Sequence, residues 1–156
     1  MDSVACSLNA LIVNIYNNIS KIESEAFNTG KFKDVSITEV HTVAAIGMYG
    51  TKTMSETARG LKITMGTLTV AINNLVKKGY VQRFRCETDK RVVRVGLTKK
   101  GRLLYRLHAQ FHINVIKKCT DNLDNDEILT LYKALEKLDR FIKGEYFGCS
   151  KNDSKK

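Results

Sequence analysis

The chain has 156 residues, 43% of them hydrophobic and 27% charged, with a net charge of +10, no Pro and no Trp. A chain of that length buries about two-thirds of its unfolded surface, so it needs no metal or disulfide staples, and the composition excludes Pro-rich linkers and collagen-like segments. The early apolar stretch from Ala10 to Ile15 follows Asn9 and is broken by Asn14, which is too short for a secretory core or a membrane span and points to a cytoplasmic protein.

From Leu8 the apolar residues Leu8, Leu11, Ile12, Ile15, Ile19 and Ile22 recur at intervals of three and four, predicting an amphipathic helix that ends near Phe27, before Asn28 and Gly30. Ser36 with Glu39 has capping-box spacing and opens a second helix bearing Val40, Val43 and Ile46, closed by Gly47 and Gly50. Thr53 with Glu56 repeats the box for a short helix with Ala58 and Leu61. Thr64 then caps a fourth helix with Leu68, Ile72, Leu75 and Val76 along one side, and Gly79 stops it. Beyond it the period shifts to that of strands in 80–85 and 91–95, with a charged tip at Glu87-Thr88-Asp89-Lys90, which predicts a β-hairpin. Thr98 caps a long helix through Leu104, Leu107, Phe111 and Val115, and Asp124 with Glu127 begins a last one carrying Ile128, Leu131, Tyr132, Leu135, Leu138 and Ile142. The polar tail from Ser150 is expected to fray.

Charge is concentrated in one stretch. Between Lys77 and Arg106 there are eleven basic residues and two acidic ones, so the remainder of the chain is close to neutral. Such clustering marks a polyanion footprint. The fold class that emerges is mainly α with a small β-hairpin wing (α+β), a winged helix-turn-helix. On its second short helix, Thr64, Gly66, Thr67, Thr69, Val70, Asn73 and Asn74 stay at or near the free face. Hydroxyl and amide side chains suit base edges in the major groove, asparagine reading adenine bidentately and threonine laying its methyl on thymine. Lys77 and Lys78 are expected near backbone phosphates, Arg85, Lys90 and Arg91 on the wing, with Lys90 and Arg91 at its tip entering the minor groove, and Lys99 and Lys100 at a helix start where a phosphate would offset their charge.

The wing segment Asp89-Lys90-Arg91-Val92-Val93, followed by Leu97-Thr98-x-x-Gly101, resembles the signature of the MarR family of winged-helix transcription regulators. In that signature the aspartate braces a wing arginine. Within the family the likeness is to FabT-type repressors of bacterial fatty-acid synthesis, through Phe32-Lys33-Asp34-Val35-Ser36-Ile37, Gly66-Thr67-x-Thr69, Asn73-Asn74-Leu75 and Leu97-Thr98-Lys99-Lys100-Gly101-Arg102-Leu103. The resemblance implies a single domain over residues 1–149, with a DNA-binding lobe at about 36–98, dimerisation helices at about 4–28 and 99–147, and a tail at 150–156. It implies a homodimer on a palindromic operator, one recognition helix per half-site. It also implies long-chain acyl groups on acyl carrier protein as corepressor, with no resident cofactor. A channel among Ile12, Ile15, Ile19, Val40, Val43 and Leu107 would suit such an acyl chain, although each of those residues taken singly is read first as ordinary core.

The alternative effector is zinc. His108 and His112 stand at i and i+4 on one helix face, and His41 with Glu23 or Glu25 would complete a site, similar to that of zinc-responsive MarR repressors. A further alternative is a thiol sensor at Cys6, disfavoured because no cation lies beside it in sequence. Cys86, Cys119 and Cys149 are read as idle reduced thiols, since no C-x-x-C occurs. No Gly-rich phosphate loop, nucleophile elbow or H-E-x-x-H motif is present, so an enzyme is not expected. Non-specific coating of DNA would be told from operator binding by indifference to sequence.

Overall fold

In the computed structural model each helix-starting signal in the lobe is realised as a hydrogen-bonded cap. Helix α1 spans Asp2–Phe27 and α2 spans Ile37–Ile46. At the start of α2 the Ser36 hydroxyl accepts from the Glu39 amide while the Glu39 carboxylate accepts from the Ser36 amide, at 3.3 and 2.7 Å. Thr53 and Glu56 form the same reciprocal pair before α3 (Met54–Leu61), and Thr64 caps α4 (Met65–Lys77) by accepting from the Thr67 amide. Strands β2 (Val81–Arg85) and β3 (Val93–Leu97) follow, then α5 (Lys99–Thr120) and α6 (Asn125–Phe147). The structure describes residues 2–27, 32–85 and 92–147. The wing tip expected at Glu87 to Arg91, with Cys86 and Cys149, lies outside the described residues.

The hairpin gains a strand that the sequence pattern did not announce. Two residues, Lys52–Thr53, form β1 and pair antiparallel with the far edge of β3, giving the order β1-β3-β2. Lys52 faces Val95, and on the other side Arg83 faces Val95 across the β2-β3 ladder. A two-residue strand has no periodicity, so only the tertiary partner identifies it.

Two compact units result, Met1–His112 and Ile113–Lys156. The core of the first draws on Phe27 of α1, Val40, Val43 and Ile46 of α2, Leu68, Ile72 and Leu75 of α4, and Tyr80, Val95, Leu97 and Leu104. Its apolar stripes are thus consumed inside the lobe, which fixes α4 with its opposite face outward. In α1, by contrast, Leu8, Leu11, Ile12 and Ile15 are exposed. The second unit contains α6, which begins with Asp124 accepting from the amides of Asp126 and Glu127 and leaves Leu131, Tyr132, Leu135 and Phe141 exposed. Uncovered apolar helix faces of this extent mark association surfaces. No helix among the described residues is long and apolar enough to cross a membrane.

Candidate nucleic-acid interface and histidine cluster

The turn between α3 and α4 is made by Lys62, whose φ of 55° is left-handed, a conformation that a non-glycine residue adopts at a cost of roughly 1 kcal/mol. The Ile63 amide closes the turn onto the Ala58 carbonyl at 3.1 Å. Leu68, Ala71, Ile72 and Leu75 then anchor α4, leaving Gly66, Thr67, Thr69, Val70, Asn73, Asn74 and Lys77 exposed. Arg85 and Lys99 are also exposed. These positions present a helix, a strand end and a helix start to solvent. The expected wing residues Asp89, Lys90 and Arg91 fall outside the described residues.

Several of these side chains already have partners. The ammonium of Lys78 donates to both oxygens of the buried Glu39 carboxylate, at 2.6 and 2.8 Å, so it is held by the lobe rather than offered to a phosphate. Lys100 lies 4.0 Å from the centre of the Tyr80 ring and donates to the Lys78 carbonyl and to Asp34. Tyr80 is fully buried and donates its hydroxyl to Asp34 at 2.7 Å. Burial first, and the Asp34 carboxylate second, push the Tyr80 phenol far above its ordinary value. Lys100 thus braces the lobe, and Lys99 beside it is exposed. Asn73 accepts from Arg83 at 2.6 Å, a pairing between α4 and β2 that sequence spacing could not show. Arg94 is likewise committed, donating to the Thr51 hydroxyl and carbonyl.

The three histidines converge on one carboxylate. Glu23 of α1, almost fully buried, lies 2.7 Å from His108 Nε2, 3.1 Å from His41 Nε2 and 3.3 Å from His112 Nε2, all through its Oε1. His108 and His112 approach each other at 3.0 Å between Nε2 atoms. Of the two glutamates considered, Glu23 supplies the carboxylate and Glu25 is exposed. The imidazoles of His41 and His108 and the Glu23 carboxylate are donors of the kind that zinc accepts. The ligand atoms of Glu23, His41 and His108 all lie within 4.8 Å of one another.

The acyl-channel residues are divided between two environments. Val40 and Val43 are fully buried in the core, Ile19 is half-buried, and Ile12, Ile15 and Leu107 are exposed. Cys6 and Cys119 are exposed and free.

Acid should weaken the histidine cluster in the metal-free protein. Burial pushes the Glu23 carboxyl up, but hydrogen bonds from His108 and His41 outweigh it and hold the group below its ordinary 4.5. Burial pulls the His108 imidazole below its ordinary 6.5, with Glu23 opposing. Both groups therefore bind protons more readily in the unfolded chain. Their stabilisation is complete above pH 6.5, declines first through His108 as pH falls below 6.5, and declines further through Glu23 below 4.5. Urea midpoints measured from pH 7.5 to 4 should follow that course. A His108→Gln variant should lose the decline that begins at 6.5, and retention of that decline would exclude His108 as its source.

The matrix of relatives agrees with the lobe. A family model described as the MarR family matches residues 35–93. The multiple antibiotic resistance protein MarR of Salmonella typhimurium is 30% identical over 106 residues, covering 67% of this chain and 74% of that protein. The chain belongs to the MarR family. This MarR-family protein is a transcriptional regulator, as its named relatives are, and not an enzyme. Its fold matches a crystal structure of Streptococcus pneumoniae FabT in complex with DNA at a TM-score of 0.84 and 40% identity, covering 89% of this chain and 97% of that one. A variant of MarR from E. coli complexed with operator DNA matches at a TM-score of 0.66 and 27% identity, over 85% of this chain and 93% of that one. MarR-family regulators bind DNA operators as dimers.

Proposed function

We propose that this MarR-family regulator is a dimeric repressor of fatty-acid synthesis genes, bound to a palindromic operator, with long-chain acyl groups on acyl carrier protein as corepressor. The observation that carries this reading is its likeness, over nearly the whole chain, to FabT held on DNA. Two further features support it. The exposed face of α4 ends in Lys77, and Arg85 at the end of β2 and Lys99 at the start of α5 are exposed cations, which suits a helix that enters the major groove. Exposed apolar faces on α1 and on α6 supply what a second copy would cover. A cytoplasmic location follows from DNA as the partner.

A second reading is favoured by the histidine cluster: a zinc-responsive repressor in which Glu23, His41, His108 and His112 hold the ion. Such an ion would tie α1, α2 and α5 together. Fluorescence anisotropy at fixed salt separates the two, using promoter DNA from fatty-acid synthesis genes with acyl carrier protein bearing a long acyl chain, and separately with zinc. Tightening of about tenfold or more with the acylated carrier alone is expected, equivalent to roughly 1.4 kcal/mol of coupling. Tightening with zinc alone, lost in Glu23→Gln, would establish the second reading and remove the first. A response to neither would exclude both effectors.

A further inference from the structure

The outer ridge of α4 is formed by Gly66, Val70, Asn73 and Lys77, spaced four, three and four apart and opposite the buried Leu68, Ala71, Ile72 and Leu75. At its centre Val70 is 61% exposed. A β-branched apolar residue in that position helps neither helix propensity nor the core. One turn earlier, a Cβ on Gly66 would meet only the Thr64 hydroxyl, at an ordinary 3.8 Å. Glycine weakens a helix relative to alanine, and no described neighbour of Gly66 requires it. An absent side chain beside an exposed apolar one is the profile of a helix that an outside surface approaches closely and meets through methyl groups.

The polar groups on this face are oriented to match. Thr69 donates its hydroxyl proton to the Met65 carbonyl at 2.7 Å. Thr67 and Thr64 share a hydroxyl hydrogen bond at 2.9 Å. The hydroxyl of Thr69 is thus turned back along its own helix, which leaves its methyl as the outward group. Asn73 is fixed in the opposite sense. A guanidinium only donates, so Arg83 takes the Asn73 carbonyl oxygen and leaves the amide N–H groups to be presented outward. The face therefore offers methyl groups and an amide donor.

In the major groove only thymine combines a methyl group with a hydrogen-bond acceptor, O4, on one base edge. We propose that α4 reads thymine methyl groups, with Val70 and Thr69 as the methyl-reading residues, and that Arg83 positions Asn73 to donate to an adjacent base acceptor. This rests on the operator-binding reading of the same helix and gives it a base preference. It also adds to the adenine contact expected of Asn73 from sequence a role for the amide as donor.

The test uses the full chain to select duplexes from a random-sequence pool. The preferred duplex is then made again with deoxyuridine in place of thymine, which removes the C5 methyl and leaves every hydrogen-bonding group. Half-sites rich in thymine are expected, with affinity falling about fourfold for each methyl that the helix buries. Val70→Ala should bind the thymine duplex more weakly and lose less on the change to deoxyuridine. Arg83→Met should relax the base preference at one position of each half-site while its thermal midpoint stays unchanged. Equal affinity of the unaltered chain for the two duplexes, with selection intact, would overturn methyl reading and leave operator binding standing. Equal deoxyuridine losses in the unaltered chain and Val70→Ala would likewise take the reading away from α4. A pool that shows no enrichment would remove operator binding itself.

Discussion

Gly101→Ala is expected to destabilise the lobe by about 3 kcal/mol or more, because the added methyl has nowhere to go. A Cβ built at Gly101 would collide with the Tyr80 carbonyl oxygen and lie 3.3 Å from the Leu97 side chain. The close approach is held on both sides. The Thr98 amide donates to that same Tyr80 carbonyl at 3.0 Å, and the Thr98 hydroxyl donates to the Gly79 carbonyl at 2.7 Å while accepting from the Gly101 amide. The start of α5 is thereby pinned against the end of α4, and neither backbone can retreat without losing these bonds. Urea denaturation should show a lower midpoint with an unchanged slope. A midpoint within experimental error of the unaltered chain would mean that α5 shifts freely, and the pinning described would then be wrong.

Glu39→Ala should cost about 2 to 4 kcal/mol, because one side chain serves two structures. Its carboxylate accepts from the Ser36 amide at the start of α2 and receives the Lys78 ammonium at the end of α4. The Lys78 side chain is 30% exposed, so its charge can reach water once the partner is gone, which keeps the loss below that of a fully buried pair. Glu39→Gln retains an oxygen for the Ser36 amide and should lose less. The comparison is decisive in a double-mutant cycle with Lys78→Met. If the two changes add, the ion pair contributes nothing, and the whole effect belongs to the cap.

How far the sequence reached can be seen at α4 and the helices around it. Capping boxes and glycine stops are local, since a Ser or Thr bonds an amide three residues on whatever the rest of the chain does. Ser36, Thr53, Thr64 and Asp124 therefore mark helix starts correctly before any packing is considered. Amphipathic spacing fixed which face of α4 is buried, and so which residues remain for DNA. Charge clustering, too, is a property of composition along the chain.

Pairings across the fold are of another kind. Strand β1 has two residues and exists because β3 offers an open edge. Lys78 and Lys100 are cations in sequence like any others, yet Glu39 holds Lys78, and Asp34 and Tyr80 hold Lys100, each partner distant in the chain from the lysine it meets. Glu23 and Glu25 were equivalent candidates until the helices set Glu23 inward, within reach of three imidazoles. Asn73 took its donor orientation from Arg83, a residue of the next element. The sequence by itself determined the helices, their caps, the family and the basic footprint, because these depend on residues a few positions apart. Only the tertiary structure decided which charges are paired within the lobe, which glutamate meets the histidines and what the recognition face presents, because a side chain's partners are set by where folding brings distant segments together.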